Sequence, residues 1–339
     1  MIFVAGGTGY LGSHLLYNLV QLGKPIRALY RDKEKLDRFL KFRKFYPAVN
    51  DKLLDKIEWV KGDILDYYTL SEYLSGVTMV YNVTGIVSFH KEDKQKLLII
   101  NAQGTANIVN VCLEQQIGRL CHVSSISTLG DTQDREPIDE SHLWSKSTSP
   151  SPYSYSKFRG EMEVWRGINE GLQAVIVNPS IIIGPGMWYG SWENIFKQIY
   201  NGLNYYPTGT SGYIDVRDVV KIMISLTESG VSGERFILSA ENLAHQEVLD
   251  YLAEAMKKPN PSKPLTPLII KIACHLEKIR SFFTGSQPRI TPQSMKSSTA
   301  VTSYSNHKIV QALSCDFTPV KEAIASSIPV FLVEQESKS

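Results

Sequence analysis

Residues 1–12 read Met-Ile-Phe-Val-Ala-Gly-Gly-Thr-Gly-Tyr-Leu-Gly, and no other stretch constrains the fold so tightly. An apolar run at residues 2–5 stops at Gly6, and a stretch of helical period opens at residues 11–22. Between them Gly6, Gly9 and Gly12 stand at GxxGxxG spacing. A strand that turns directly into a helix demands positive φ, and a chain that receives a pyrophosphate needs backbone without a Cβ in the way. The anion then meets the free N–H groups and the positive dipole end of the helix that starts near Tyr10. Thr8, Tyr10 and Leu11 complete the loop. A glycine triplet alone is an ordinary turn. Here strand, helix and a following strand–helix unit are all in place, so the loop is read as a dinucleotide cradle.

The same alternation continues. Short β-branched runs recur at 25–30, 57–61, 79–83, 120–124, 173–177 and 235–239, with helical-period stretches at 32–45, 70–75, 101–116 and 154–169 between most of them. Nearly continuous apolar strands alternating with helices imply an α/β fold, a Rossmann-type doubly wound parallel sheet covered on both faces. After about residue 180 the pattern loosens into aromatics, Gly and Pro. The expected division is a dinucleotide-binding domain over 1–180, with return segments at about 213–245, and an interleaved, mostly helical substrate lobe over 181–339. A hydrophobic fraction of 43% in 339 residues supplies a full-sized core.

Composition excludes several classes. Basic and acidic residues number 36 and 34, which leaves no field for nucleic acid. Cys112, Cys121, Cys274 and Cys315 form no CxxC pair, as expected of a reducing compartment. The seven histidines show no HExxH spacing, so no metal is expected, and no GxSxG elbow marks a hydrolase. No apolar run reaches membrane-spanning length: residues 268–283 are broken by Lys271, His275, Glu277, Lys278 and Arg280, and are read as a lobe helix rather than a membrane-surface anchor. Apolar residues directly after Met1 argue against a signal peptide. A cytoplasmic protein is expected, with a homodimer as the candidate assembly.

Which dinucleotide binds is decided at the end of the second strand. An NAD site offers a carboxylate there to the ribose 2′-OH. This chain places Arg31 there, followed by Asp32, and residues 24–44 carry nine basic against three acidic side chains. A guanidinium suits a 2′-phosphate, so NADP is expected, with NAD through Asp32 as the alternative.

Further on, Ser151-Pro152 is a helix start with proline at the first position, which sets Tyr153 and Lys157 at i and i+4 on one helix face. An ammonium near a phenol favours the phenolate and prepares it for proton transfer. The pair alone is equally a surface tyrosine and a surface lysine. About 28 residues upstream, however, a strand runs into Val123-Ser-Ser-Ile-Ser127. Ligands of parallel sheets bind beyond the carboxyl ends of strands, so Ser125, with Ser124 as second choice, is placed to hold a substrate oxygen.

Gly-Gly-Thr-Gly-Tyr-Leu-Gly, Val-Ser-Ser and Tyr-x-x-x-Lys, in this order and at these distances, resemble the extended short-chain dehydrogenase/reductase superfamily. The likeness spans roughly residues 1–245 and implies further ligands. Asp63 and Ile64 would lie at the adenine, Val83, Thr84 and Gly85 under the ribose and pyrophosphate, and Pro179 and Ile182 beside the nicotinamide. Elements around Gly285, Arg289 and Tyr304 are more similar to the dihydroflavonol-reductase-like and 3β-hydroxysteroid-dehydrogenase-like branch than to sugar-nucleotide epimerases. The resemblance implies hydride transfer to a small-molecule carbonyl, or from an alcohol, with Ser125, Tyr153 and Lys157 as the catalytic set. Sugar-nucleotide epimerisation or dehydration is the alternative enzyme, and a dinucleotide-binding sensor the alternative outside catalysis. Asn82, Asn178 and Thr128-Leu-Gly130 depart from the family's usual residues, which bears on substrate class.

Overall fold

The computed structural model describes residues 1–130, 136–144, 150–190, 192–284, 288 and 291–336. Gly285 and Arg289, two of the residues quoted for branch assignment, lie outside them.

Seven strands, β1 (Ile2–Ala5), β2 (Ile26–Tyr30), β3 (Ile57–Lys61), β4 (Met79–Asn82), β5 (Arg119–Val123), β6 (Ala174–Pro179) and β7 (Glu234–Leu238), form one sheet. Its order is β7-β6-β5-β4-β1-β2-β3 and every neighbouring pair is parallel. Each strand matches an expected run to within two residues at either end. The chain order reverses between β1 and β4, the switch point at which open α/β sheets bind ligands. Alternation along β1 shows why both faces must be covered. Ile2 and Val4 pack into the core beneath the helices Tyr10–Gln21 and Val216–Glu228, while Phe3 and Ala5 pack into the core beneath Gly104–Glu114 and Pro152–Asn169.

Local chemistry fixes the helix starts. Ser151 accepts the Ser154 N–H at 3.0 Å, and Pro152 occupies the first turn of the helix that carries Tyr153 and Lys157. Asp215 does the same for Val216–Glu228 by accepting the Arg217 N–H at 2.7 Å. The stretch expected as one helix over 101–116 instead begins as a π-turn, Leu98–Gln103, before Gly104–Glu114 continues as α-helix. Against it packs Pro152–Asn169, at a crossing so close that a Cβ on Gly160 would lie 2.3 Å from the Asn101 carbonyl oxygen. That approach sets the height of Tyr153 and Lys157 above the sheet.

Beyond β6 a second core gathers Ile183, Met187, Trp188, Phe196, Leu252 and Phe331. A three-stranded sheet, Glu241–Ala244, Thr210–Asp215 and Ile181–Ile183, joins it to the first.

Candidate active site

At the carboxyl ends of β4, β5 and β6 lies a cavity of about 410 Å³. Ten of the expected site residues line it: Tyr10, Leu11, Val83, Thr84, Gly85, Ser125, Tyr153, Lys157, Pro179 and Ile182. Val87, Ile126, Met187 and Trp192 add apolar wall, and Lys157 is the sole cationic side chain among its described lining residues.

The glycine loop forms the neighbouring floor. Gly6 has φ +86°, and a Cβ there would lie 2.8 Å from the Val83 carbonyl; on Gly12 it would lie 2.1 Å from the Gly6 oxygen. Both positions therefore exclude every larger residue. At Gly9 only the Gly6 oxygen, at 3.3 Å, comes near, so that side of the turn is open. Gly9 also caps the helix Tyr10–Gln21 without a side-chain acceptor. The first-turn N–H groups and the bare backbone fit the pyrophosphate of a dinucleotide. Thr8 is buried within this turn.

The two serines after β5 have different fates. Ser124 is buried, and its hydroxyl donates to Glu161 Oε2 at 2.5 Å. Thr128 Oγ1 and Asn178 Nδ2 reach the same oxygen at 2.7 and 2.9 Å, and Arg235 Nη1 pairs with Oε1 at 3.1 Å. Ser125 Oγ accepts the Ser127 N–H at 3.1 Å, which leaves its own proton to donate. The Ser125 backbone carbonyl is held by Asn178 Nδ2 at 3.1 Å.

Tyr153 is partly buried, and burial pushes its phenol above the usual range, while the Ser125 hydroxyl beside it pulls the other way. The Lys157 ammonium does not contribute to that shift. Its Nζ is directed at the Val123 carbonyl at 2.7 Å. Burial brings Lys157 down to about 8, opposed by the Glu161 carboxylate four residues on. Tyr155 faces elsewhere, 5.9 Å from the Trp144 ring, as its two-residue offset from Lys157 requires. Asn101 clamps the loop after β4: its Oδ1 accepts the Ile86 N–H at 2.9 Å, and its Nδ2 donates to Ile86 O and to Ser156 Oγ, each at 3.0 Å.

Seven expected cofactor residues stand outside the cavity lining: Gly6, Thr8, Gly9 and Gly12 of the glycine loop, and Arg31, Asp63 and Ile64. Arg31 is half-exposed at the end of β2, with Nε 3.5 Å from Asp32 and Nη1 3.7 Å from Asp63. Asp63 Oδ1 also accepts the Leu65 N–H at 3.0 Å. Ile64 is buried, and its side chain fills the space above Gly104. Sequence reasoning missed the buried Glu161–Arg235 pair. Its signal was present: Glu161 follows Lys157 by four residues and Tyr153 by eight, on the same helix face. Of the aromatics that follow residue 180, Trp192 lines the cavity, whereas Trp188 is packed into the second core against Phe196 and Phe331.

The family model described as "NAD dependent epimerase/dehydratase family" matches residues 2–239. A Synechocystis protein provisionally named dihydroflavonol 4-reductase is 29% identical, over 97% of this chain and 94% of its own. Cinnamoyl-CoA reductase 1 of Petunia hybrida is 24% identical, over 97% and 91%. Among solved structures, the Bordetella bronchiseptica enzyme WbmH in complex with NAD+ superposes with a TM-score of 0.72 at 18% identity, covering 97% of both chains.

Proposed function

The chain belongs to the NAD-dependent epimerase/dehydratase family and is an NAD(P)-dependent oxidoreductase of the extended short-chain dehydrogenase type; on that premise we propose that it reduces a small-molecule carbonyl to an alcohol, with NADP as cofactor. The observation that carries this reading is the convergence of Ser125, Tyr153 and Lys157 on one cavity at the switch point. When bound, the dinucleotide supplies the hydride. The Tyr153 hydroxyl delivers a proton to the carbonyl oxygen, and the free proton of Ser125 holds and polarises that oxygen. Lys157 fixes the cofactor ribose with the donors that Val123 leaves unused. The glycine loop, Val83, Thr84, Gly85, Pro179 and Ile182 hold the dinucleotide, Asp63 and Ile64 support its adenine end, and residues 181–339 supply the substrate lobe.

Reduction is favoured over sugar-nucleotide chemistry by the lining itself. A nucleoside diphosphate needs cations for its phosphates, and the described lining offers Lys157 and otherwise apolar or neutral side chains. The names of the two reductase relatives support the same class. The NADP choice rests on Arg31 and its basic surroundings, with Asp32 and Asp63 turning to other partners when a 2′-phosphate arrives. The test is a panel of aromatic and aliphatic ketones and aldehydes with NADPH and with NADH. Net NADPH oxidation is expected, lowered at least about 100-fold in Tyr153→Phe with NADPH binding retained. An unaffected Tyr153→Phe overturns the proton-donor assignment, and turnover without net NADPH oxidation favours epimerisation. NADPH affinity should fall about ten- to a hundredfold in Arg31→Ala while NADH affinity holds; indifference to Arg31 returns the ribose to Asp32.

A further inference from the structure

The helix Pro267–Thr284 stands outside everything described so far. Leu268, Ile272, Leu276 and Ile279 are 68, 52, 59 and 43% exposed. Their spacing of four, four and three residues gathers them into one stripe along the helix. The opposite face is the one that packs: Cys274 is buried, and Ile270 and Cys274 line a groove of about 480 Å³ shared with the helix Pro292–Thr299. Lys271, His275, Lys278 and Lys296 rim this groove, and no acidic residue lines it. Among the described residues none of the three lysines is ion-paired. Glu277, the only acid on the helix, is bonded to Arg280 at 2.9 Å.

We propose that this helix lies in the surface of an anionic lipid bilayer, its leucine–isoleucine stripe among the acyl chains and the lysines at the groove's rim, between the stripe and the packed face, on the lipid phosphates. An apolar stripe beside a cationic flank is what interfacial binding requires, because lysine stems can run along the apolar face while their heads meet phosphate. Spanning is excluded for this segment, since no helix among the described residues is long and apolar enough to cross a membrane. Charge also selects the bilayer over a second copy of the chain. A two-fold contact through this face would bring the same lysine rim against itself without an acid to answer it. The sequence reading of this segment as a lobe helix accounts for the Cys274 face and leaves the stripe unexplained.

The test is flotation of the full chain with phosphatidylcholine vesicles made with and without phosphatidylglycerol. Wild type should float with the anionic vesicles only and be released by salt. The pair Ile272→Glu and Leu276→Glu should abolish flotation, with melting temperature and NADPH binding unchanged. Lys278→Gln with Lys296→Gln should weaken it roughly 25-fold, about fivefold per lysine. Failure of wild type to float on anionic vesicles overturns the proposal, as does flotation indifferent to the glutamate variants. A wild-type dimer that the glutamate variants convert to monomer, with no lipid binding, would assign the stripe to a second copy instead.

Discussion

Ser124 and Ser125 are adjacent, yet one is committed to the fold and the other faces the cavity. Removing the Ser124 hydroxyl takes one donor from a buried carboxylate, a loss worth roughly 1–3 kcal/mol. Ser124→Ala is therefore expected to lower the melting temperature and leave turnover close to wild type. Ser125→Ala should do the reverse, and the opposite pattern would move the catalytic role to Ser124. Lys157 gives a second residue-scale test. Its proton is held with a pKa of about 8 in the folded chain against 10.5 in the unfolded one. Between those values the unfolded chain binds more protons, so stability should rise with pH across that window. Turnover should fall over the same window, because the ammonium proposed to grip the cofactor ribose is being lost. Lys157→Met should flatten the stability rise, measured by denaturant titration from pH 7 to 10.5. Stability and activity moving together would contradict this assignment.

The glycine turn and the strands it punctuates were legible in the sequence because each rests on a local rule: a short continuous apolar run, positive φ, or a proline at a first turn. What stayed hidden depends on partners far apart in the chain. The π-turn at Leu98–Gln103 reads as plain helix until Gly160 brings the next helix onto Asn101. Glu161 and Arg235 are separated by 74 positions and announce themselves only through burial. His14 is the same kind of case. It lies inside the first helix, with Nε2 donating to the Pro185 carbonyl at 2.8 Å and Nδ1 accepting from the Tyr46 hydroxyl at 2.5 Å. Two segments that border the cofactor loop are thereby tied to that helix. Burial lowers its pKa to about 4 from 6.5, so it is neutral at pH 7. As pH falls from 6.5 toward 4 the unfolded chain takes up the proton first, and stability should drop by up to about 3 kcal/mol. Urea titrations of wild type and His14→Phe at pH 7 and pH 4.5 measure this. The variant should lose less stability on acidification; an equal loss would place the acid sensitivity elsewhere.

At the scale of the whole molecule the two cores are not independent, because Tyr10, Phe45 and Tyr189 pack against both. Tyr10 opens the helix after the glycine loop, so the dinucleotide cradle and the second core share a side chain. The C-terminal helix Ile328–Glu336 closes that core from the far end of the chain. Phe331 is 2% exposed and lies 4.9 Å from the Phe196 ring and 5.5 Å from Trp188, while Glu334 accepts the Trp188 indole N–H at 3.0 Å. Truncating such a ring leaves a cavity, and Phe331→Ala should cost about 3–5 kcal/mol. The consequence is sharper than the loss itself. If the shared aromatics couple the cores, calorimetry of Phe331→Ala should show one transition at lower temperature. NADPH at 100 times its Kd should still stabilise the variant by about 2.7 kcal/mol, as it does wild type. Two resolved transitions, with only the upper one answering to NADPH, would mean that the C-terminal lobe unfolds by itself. The cradle would then need nothing from the second core to hold its cofactor.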